Sequence, residues 1–230
     1  MIFLLLAAHD TTTSTLTSAI HHLSTNEIFY DELRKESEEI TLTDISELKN
    51  GTKAESLFSE AMRKYPPVPF SVRYVMRDTI VEDYKLDGGT YVAIGPLVLH
   101  NDERYWDDPE TYNPIRFLNS DDVNEAYFPF SGGAHTCLGK FFASYLFKNV
   151  VYKLVTNFTH ISSTESLSIN PAPIPYPRKD LKITISWFSS PKVREKYISN
   201  FLAYKQKLTY IYRTLSEKKS QDRKEDRIKN

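Results

Sequence analysis

Cysteine is almost absent: the 230 residues hold one thiol, Cys137. One thiol cannot close an intramolecular disulfide, so a disulfide-stapled secreted scaffold is excluded. Glycine is scarce too, at seven residues, where an average chain of this length would carry about twice as many. No charge sign dominates. With 29 basic and 30 acidic residues the formal net charge is -1, so there is no global attraction to nucleic acid and no nucleic-acid partner is expected. Long apolar runs are missing as well. The longest, Met1 to Ala8, falls far short of the roughly 17 residues that a bilayer requires, so no transmembrane segment is expected. That run also lacks the flanks of a signal peptide, and a cytoplasmic location, which suits an unpaired thiol, is the expectation.

What remains is 40% hydrophobic and 26% charged, enough for a buried core and too apolar for a disordered chain. Leu5, Ala8, Thr12, Leu16, Ile20 and Leu23 recur at helical spacing and predict a helix over 3–24 with that stripe inward. Ser24 with Glu27, and Thr52 with Glu55, read as capping boxes opening helices that run to about Glu39 and to just before Pro66-Pro67. Residues 70–99 alternate β-branched and aromatic runs with turn residues such as Asp87-Gly88-Gly89, which predicts hairpins. Residues 101–136, rich in Asp, Pro, Asn and Gly, read as ordered loop, followed by a helix from about Leu138 to His160. Leu181, Ile183, Ile185 and Trp187 alternate with polar residues as in a half-buried strand.

Residues 190–230 differ, carrying twelve Lys/Arg against five Asp/Glu. Within them Tyr197, Phe201, Tyr204, Leu208, Ile211 and Leu215 form a seam of nearly three heptads. This stretch reads as a basic amphipathic helical extension with a disordered end, separate from residues 1–189.

Three of the seven glycines and the one cysteine fall between Gly132 and Gly139. A cysteine just ahead of a helix sits near unsatisfied N–H groups and the positive end of the helix dipole, a setting that favours thiolate. Gly133 permits a positive φ in a tight turn, and Gly139 lets a flat group approach the backbone. No CxxC or HExxH accompanies the thiol, which excludes the common structural zinc and zincin patterns. Two readings stay open on these residues: an inert buried cysteine, or a single thiolate ligating a haem iron.

Phe130-x-x-Gly133-x-His135-x-Cys137-x-Gly139 resembles the cysteine-loop signature of the cytochrome P450 haem-thiolate monooxygenases. Three further motifs resemble that family in its order: Ala7-Ala8-His9-Asp10-Thr11-Thr12, the stretch Glu60-Ala61-Met62-Arg63, and Tyr112-Asn113-Pro114-Ile115-Arg116-Phe117. Arg73 and Trp106-Asp107-Asp108-Pro109 stand in register with it as well.

The resemblance covers roughly residues 2–189. It implies a mainly α fold with small β-sheets, an α+β arrangement corresponding to the C-terminal half of a cytochrome P450-like haem domain. It implies haem b (iron protoporphyrin IX) as cofactor, with Cys137 as the axial ligand of the iron. Phe130 and Gly139 would border the haem, and Arg73 and His135 would meet its propionates. Asp10 and Thr11 would relay protons during oxygen activation, their competition for backbone bonds opening the helix locally. Glu60, Arg63 and Arg116 would form a structural charge network. The implied reaction is O2-dependent monooxygenation of an apolar organic substrate, with electrons from a separate reductase docking near Lys140 and Lys148. Ala8 stands where many family members have glycine. The chain starts almost on the oxygen-binding helix, so the resemblance also implies a truncated fold and a complementing N-terminal chain as partner. The alternative is an inactive remnant that binds or oligomerises through its basic C-terminal helix. The other histidines, His9, His21, His22, His100 and His160, show no ligand spacing and read as surface or satisfied core groups.

Overall fold

The computed structural model describes residues 2–41, 44, 48, 52–118, 124–170, 176–177 and 181–187. All of these but Trp187 belong to one unit, Met1–Ser186. The extension expected over 190–230, with its heptad seam, lies outside the described residues.

Helix α1 (Ile2–Thr25) runs without a glycine or proline to interrupt it. Its inward face keeps Leu16, Ile20 and Leu23 of the expected stripe, which pack in or against the core, but is not confined to them. The side chain of Leu5 lies outside the described residues. Ala8 is exposed and Leu16 and Ile20 are half-buried, while Ser14, Thr15, Ser18, Ala19, His22 and Leu23 are buried. Small and hydroxyl side chains let neighbouring elements approach closely, so the packed face is polar in composition yet tight. Thr11, Thr15 and Ser18 return their hydroxyls to carbonyls one turn back, which removes the cost of burying them.

Helices α2 (Glu27–Glu38), α3 (Thr52–Lys64) and α5 (Lys140–Asn157) pack with α1 around one apolar core. Leu23, Leu33, Leu57, Phe147 and Val151 are almost fully buried there, each worth about 1.5–3 kcal/mol relative to exposure. The expected caps differ at both helix starts. The hydroxyl of Ser24 is the last turn of α1, donating to His21, and Asn26 caps α2 by accepting the Phe29 N–H at 3.0 Å. At α3 the cap comes from another helix. The Glu36 carboxylate of α2 accepts the N–H groups of Lys53 (2.8 Å) and Ala54 (3.1 Å) and the Thr52 hydroxyl (3.1 Å). The same carboxylate accepts the Tyr152 hydroxyl of α5 at 2.7 Å. Glu55, freed from any capping role, pairs with Lys148 and accepts from Ser144.

Between α3 and α5 lie two antiparallel pairs. Strand β1 (Ser71–Tyr74) pairs with β4 (Tyr91–Ile94), Ser71 opposite Ile94, and β2 (Thr79–Val81) pairs with β3 (Tyr84–Leu86), Thr79 opposite Leu86. Gly89, at φ 91, makes the turn that leads into β4, where no β-branched residue would fit without strain. A short helix α4 (Pro96–Leu99) follows, then loop with single 3-10 turns at Pro114–Phe117 and Gly133–His135. The last helix ends three residues before the expected His160: Phe158–Ser162 is strand β5, paired with β8 (Thr184–Trp187). Its Phe, Thr and Ile favour a pleated surface over a further helical turn. Strand β6 (Ile169–Asn170) pairs with β7 (Tyr176–Pro177). Ahead of β8, Leu181 and Ile183 alternate inward as expected, but Ile185 is largely exposed. Helices with small antiparallel sheets make this an α+β fold. Among the described residues no helix is long and apolar enough to cross a membrane.

Glu36 joins three helices through one side chain. Glu36→Ala should lower stability by about 2–3 kcal/mol in urea unfolding, since two N–H groups and a phenol lose their acceptor together. Tyr152→Phe, which removes one of these bonds, should cost about 1 kcal/mol.

Candidate functional site

The cysteine loop starts from α3. Glu60 and Arg63 lie one turn apart on a face that is completely buried, and they pair twice, Nε to Oε2 at 2.7 Å and Nη2 to Oε1 at 2.8 Å. The remaining guanidinium donors reach the carbonyls of His100 (2.7 Å), Pro109 (3.0 Å) and Thr111 (3.1 Å). All five N–H donors of Arg63 are thereby used. Glu60 in turn accepts the Asn113 N–H at 2.7 Å and Arg116 Nε at 3.3 Å. Arg116 also donates to the Asp107 and Asp108 carbonyls. A glycine-poor loop with no ladder of its own is thus held by two guanidinium groups and a carboxylate. Lys64 adds to it, donating to Asn101, Pro109 and Glu110.

Downstream, the Ser131 N–H bonds to the Phe128 carbonyl at 3.1 Å, and the Cys137 N–H to the Phe130 carbonyl at 3.0 Å. Ser131 at φ 60 and Gly133 at φ 59 turn the chain back on itself. Glycine takes that conformation freely, while serine carries strain there. Cys137 is exposed and unpaired, and α5 begins three residues later with Gly139 at its N-cap.

Cys137 and His135 border a cavity of about 200 Å³. Its walls are mostly apolar: Phe58, Met62, Pro67, Val68, Pro96, Phe130, Ala143 and Phe147. Thr11, Thr12 and Thr15 of α1 form a hydroxyl-bearing wall, and the Thr15 hydroxyl also points at Met62 Sδ, 3.3 Å away. Just past the thiol in sequence, the apolar side chains of Leu138, Phe141 and Phe142 stand in solvent, the first of these 98% exposed. Among the described residues no group of three or more His, Cys, Asp or Glu could hold a metal ion. The chemistry available is one thiol in an apolar, open cleft. That donor set fits a flat apolar macrocycle whose metal needs one protein ligand and does not fit a metal ion held by the protein alone.

The other expected site residues lie as follows. Arg73, on β1, donates to the Ser131 hydroxyl at 3.2 Å and to its neighbour's carbonyl, which places it beside the cysteine loop. Asp10 and Thr11 are not brought together. The Asp10 carboxylate bonds to His9 Nδ1 at 2.8 Å on an exposed face, whereas Thr11 lines the cavity and donates to the Ala7 carbonyl at 2.7 Å. Helix α1 stays continuous through both, because the hydroxyl bonds back along the helix without displacing a backbone bond. Lys148 does not face a docking partner. It is buried, bonded to Glu55 at 2.7 Å and to the Leu48 carbonyl at 3.0 Å, while Lys140 is exposed.

Two histidines expected as surface or satisfied groups are more constrained. His22 stacks on Tyr112 with ring centroids 4.4 Å apart, and its Nε2 is buried without a partner among the described residues. Burial, with His21 adding repulsion, pulls its pKa down to about 4. His100 is fully buried, and burial holds it at about 4 as well. Thr12, Thr15, Met62 and Val68 were missed as cavity residues. Thr15 had a readable signal, since it stands one turn from Thr11 on the same helical face.

The family profile described as Cytochrome P450 matches residues 1–184. Cytochrome P450 4d2 of Drosophila melanogaster is 32% identical over 178 residues, 72% of this chain and 33% of its own length. Cytochrome P450 4e2 of the same fly is 31% identical over 169 residues, 69% and 32% of the two chains. Cytochrome P450 4V2 of Rattus norvegicus is 31% identical over 161 residues, 65% and 30%. The chain spans about a third of the length of these relatives.

Two predictions follow from the buried charges and rings. Glu60→Ala leaves the Arg63 guanidinium buried without its counterion and should cost about 3–5 kcal/mol in denaturant unfolding. For the histidines the unfolded chain takes up protons at the ordinary value of 6.5 while the folded chain refuses them until about 4. Their stability contribution is therefore complete above pH 6.5 and is lost as the pH falls from there toward about 4. Denaturation curves taken at steps across that window should show each histidine removing about 1.4 kcal/mol per pH unit, and His22→Phe should abolish one such share.

Proposed function

The chain belongs to the cytochrome P450 family, and from that premise we propose that it carries the thiolate half of a haem-thiolate monooxygenase site. When bound, haem b (iron protoporphyrin IX) supplies activation of O2 and transfer of one oxygen atom to an apolar organic substrate, using electrons from a separate reductase. The observation that carries this reading is the single free thiol opening on an apolar cleft whose far wall is the threonine face of α1.

In this reading Cys137 Sγ holds the iron. Its position is set by backbone bonds at the loop, so the side chain itself is left free for the metal. Phe130, Ala143 and Phe147 give the cleft beside the thiol an apolar lining, and Gly139 adds no side chain near the sulfur, where an added Cβ would stand 3.7 Å from Cys137 Sγ. Arg73 and His135 supply donors for the propionates; Arg73 is already steered toward the loop by Ser131. Thr11 Oγ1 has its proton committed to the Ala7 carbonyl, which leaves its lone pairs to accept a hydrogen bond from water in the cavity. To pass a proton on, the hydroxyl swings from that carbonyl toward the cavity. Asp10, next along the helix and open to solvent, is the carboxylate that resupplies it through water, with His9 as its partner. Lys140, at the start of α5, is the cation available to an acidic reductase.

Reconstitution of the full chain with haemin, followed by reduction and addition of carbon monoxide, tests the reading. Wild type should show the red-shifted Soret band of a thiolate-ligated haem. Cys137→Ser should lose it with far-UV circular dichroism unchanged. The same spectrum in both, or no haem uptake by the wild type, would sink the proposal for this chain.

A further inference from the structure

We propose that His100 is a positioning residue for Cys137, its ring clamping the front of the cysteine loop to the Glu60–Arg63 pair. This rests on the reading of Cys137 as the iron ligand. His100 has no solvent exposure. Its backbone N–H is held by the Pro96 carbonyl at 2.7 Å, and its ring Nδ1 is buried with no hydrogen-bond partner among the described residues, so the bonds that tie it to other segments are two. The backbone carbonyl accepts Arg63 Nη1 at 2.7 Å, while ring Nε2 accepts the backbone N–H of Phe128 at 3.1 Å. One residue therefore joins the most deeply buried charge to the segment that enters the loop.

The ring has little freedom to do anything else. Tyr127 and Phe128 hold it at centroid distances of 5.4 and 5.5 Å, and Trp106 meets its edge at 6.5 Å. Trp106 is itself fixed, with Nε1 donating to the Leu99 carbonyl at 3.0 Å and the Arg63 guanidinium over its face. From Phe128 two further bonds lead to the thiol. The Phe128 carbonyl receives the Ser131 N–H, forming the turn, and the Phe130 carbonyl receives the Cys137 N–H. The neighbouring Tyr127 hydroxyl also reaches α3, at the Ser59 carbonyl, but that bond leaves the Phe128 N–H untouched.

Accepting at Nε2 requires a neutral ring with its proton on Nδ1. Burial keeps the ring neutral far below neutrality. The charged groups around it agree: the Arg63 guanidinium repels a second cation, and Glu60 is occupied by Arg63 and Arg116. A phenylalanine would fill the same space and strand the Phe128 N–H. A glutamine places a carbonyl oxygen at about the reach of Nε2 and keeps an acceptor there.

The test begins with the full-length wild-type chain without haem. Nitrogen-15 NMR should show His100 as the Nδ1–H tautomer, with a through-hydrogen-bond coupling between Nε2 and the Phe128 amide; the opposite tautomer with no coupling overturns the proposal. Amide exchange then separates positioning from local packing. His100→Phe should speed exchange at Phe128, Ser131 and Cys137 by on the order of tenfold, and His100→Gln should restore it. Faster exchange at Phe128 alone, or no rescue by glutamine, overturns it. If His100→Phe does not fold, the wild-type coupling and the glutamine variant decide. None of these readouts needs haem, so they stand apart from the Cys137→Ser spectrum. With haemin added, His100→Phe should bind it about tenfold more weakly than His100→Gln does.

Discussion

The buried pairing of Glu60 with Arg63 is the constraint on which the rest of the site depends. Both side chains are fully removed from water, and an ion pair in that position is tolerable only when every remaining donor and acceptor finds a partner. Those partners are supplied almost wholly by loop backbone: the carbonyls of His100, Pro109 and Thr111 and the N–H of Asn113. The dependence runs both ways. The loop satisfies its own polar groups only through isolated turns and one 3-10 turn, and the ion pair has no solvent. Neither is stable alone, so the stretch from His100 to Arg116 is folded by charge where other segments are folded by apolar burial.

What could be read from the sequence follows from whether an interaction is local. Glu60 and Arg63 were legible as a pair because three residues is one helical turn, and Arg116 because it sits in a recognisable motif. The carbonyls that complete Arg63 were not, since backbone acceptors carry no sequence signature. The cap of α3 went astray for the same reason, while at α2 the local Asn26, two residues beyond Ser24, takes the place. Ser24 and Thr52 have the right residue types for a local box, but at α3 a carboxylate sixteen residues upstream, Glu36, binds two of the orphan N–H groups through space. Periodicity alone ties helix against buried strand at Phe158–Ser162, where β-branched and aromatic residues pair with β8. Nor does it show that the Thr11 hydroxyl bonds back along α1 and leaves the helix continuous. Gly133 was foreseen with a positive φ. Ser131 was not, because serine in that region costs energy that only its surroundings can offset.

The cleft divides its labour between side chains and backbone. The cavity that Cys137 borders is walled mainly by apolar side chains, with Thr11, Ser131 and His135 among its polar ones, and Arg73 bonded to Ser131. Lys148, which looks from its spacing like a surface cation beside Lys140, is drawn inward by Glu55 and the Leu48 carbonyl. An amphipathic stem lets lysine take either place, and the nearby carboxylate decides it. The positive charge left at the exposed start of α5 is therefore smaller than the composition of that helix suggests.

Holding the Cys137 thiol by its backbone has a consequence for how such a site tolerates change. Side chains around the cysteine can vary in size, because none of them carries the bonds that set its position. The segments that cannot vary are remote: α3, where the ion pair sits, and His100, where the loop is tied back to it. Ser131 is the intermediate case. Its strained φ of 60 is a cost of about 1 kcal/mol for a non-glycine residue, yet its hydroxyl receives the Arg73 guanidinium. A glycine there would relieve the strain and lose the contact that aims Arg73. That serine occupies the position indicates that orienting the cation beside the loop outweighs relaxing the turn. The loop is thus shaped by what must stand next to the thiol more than by its own conformational preference.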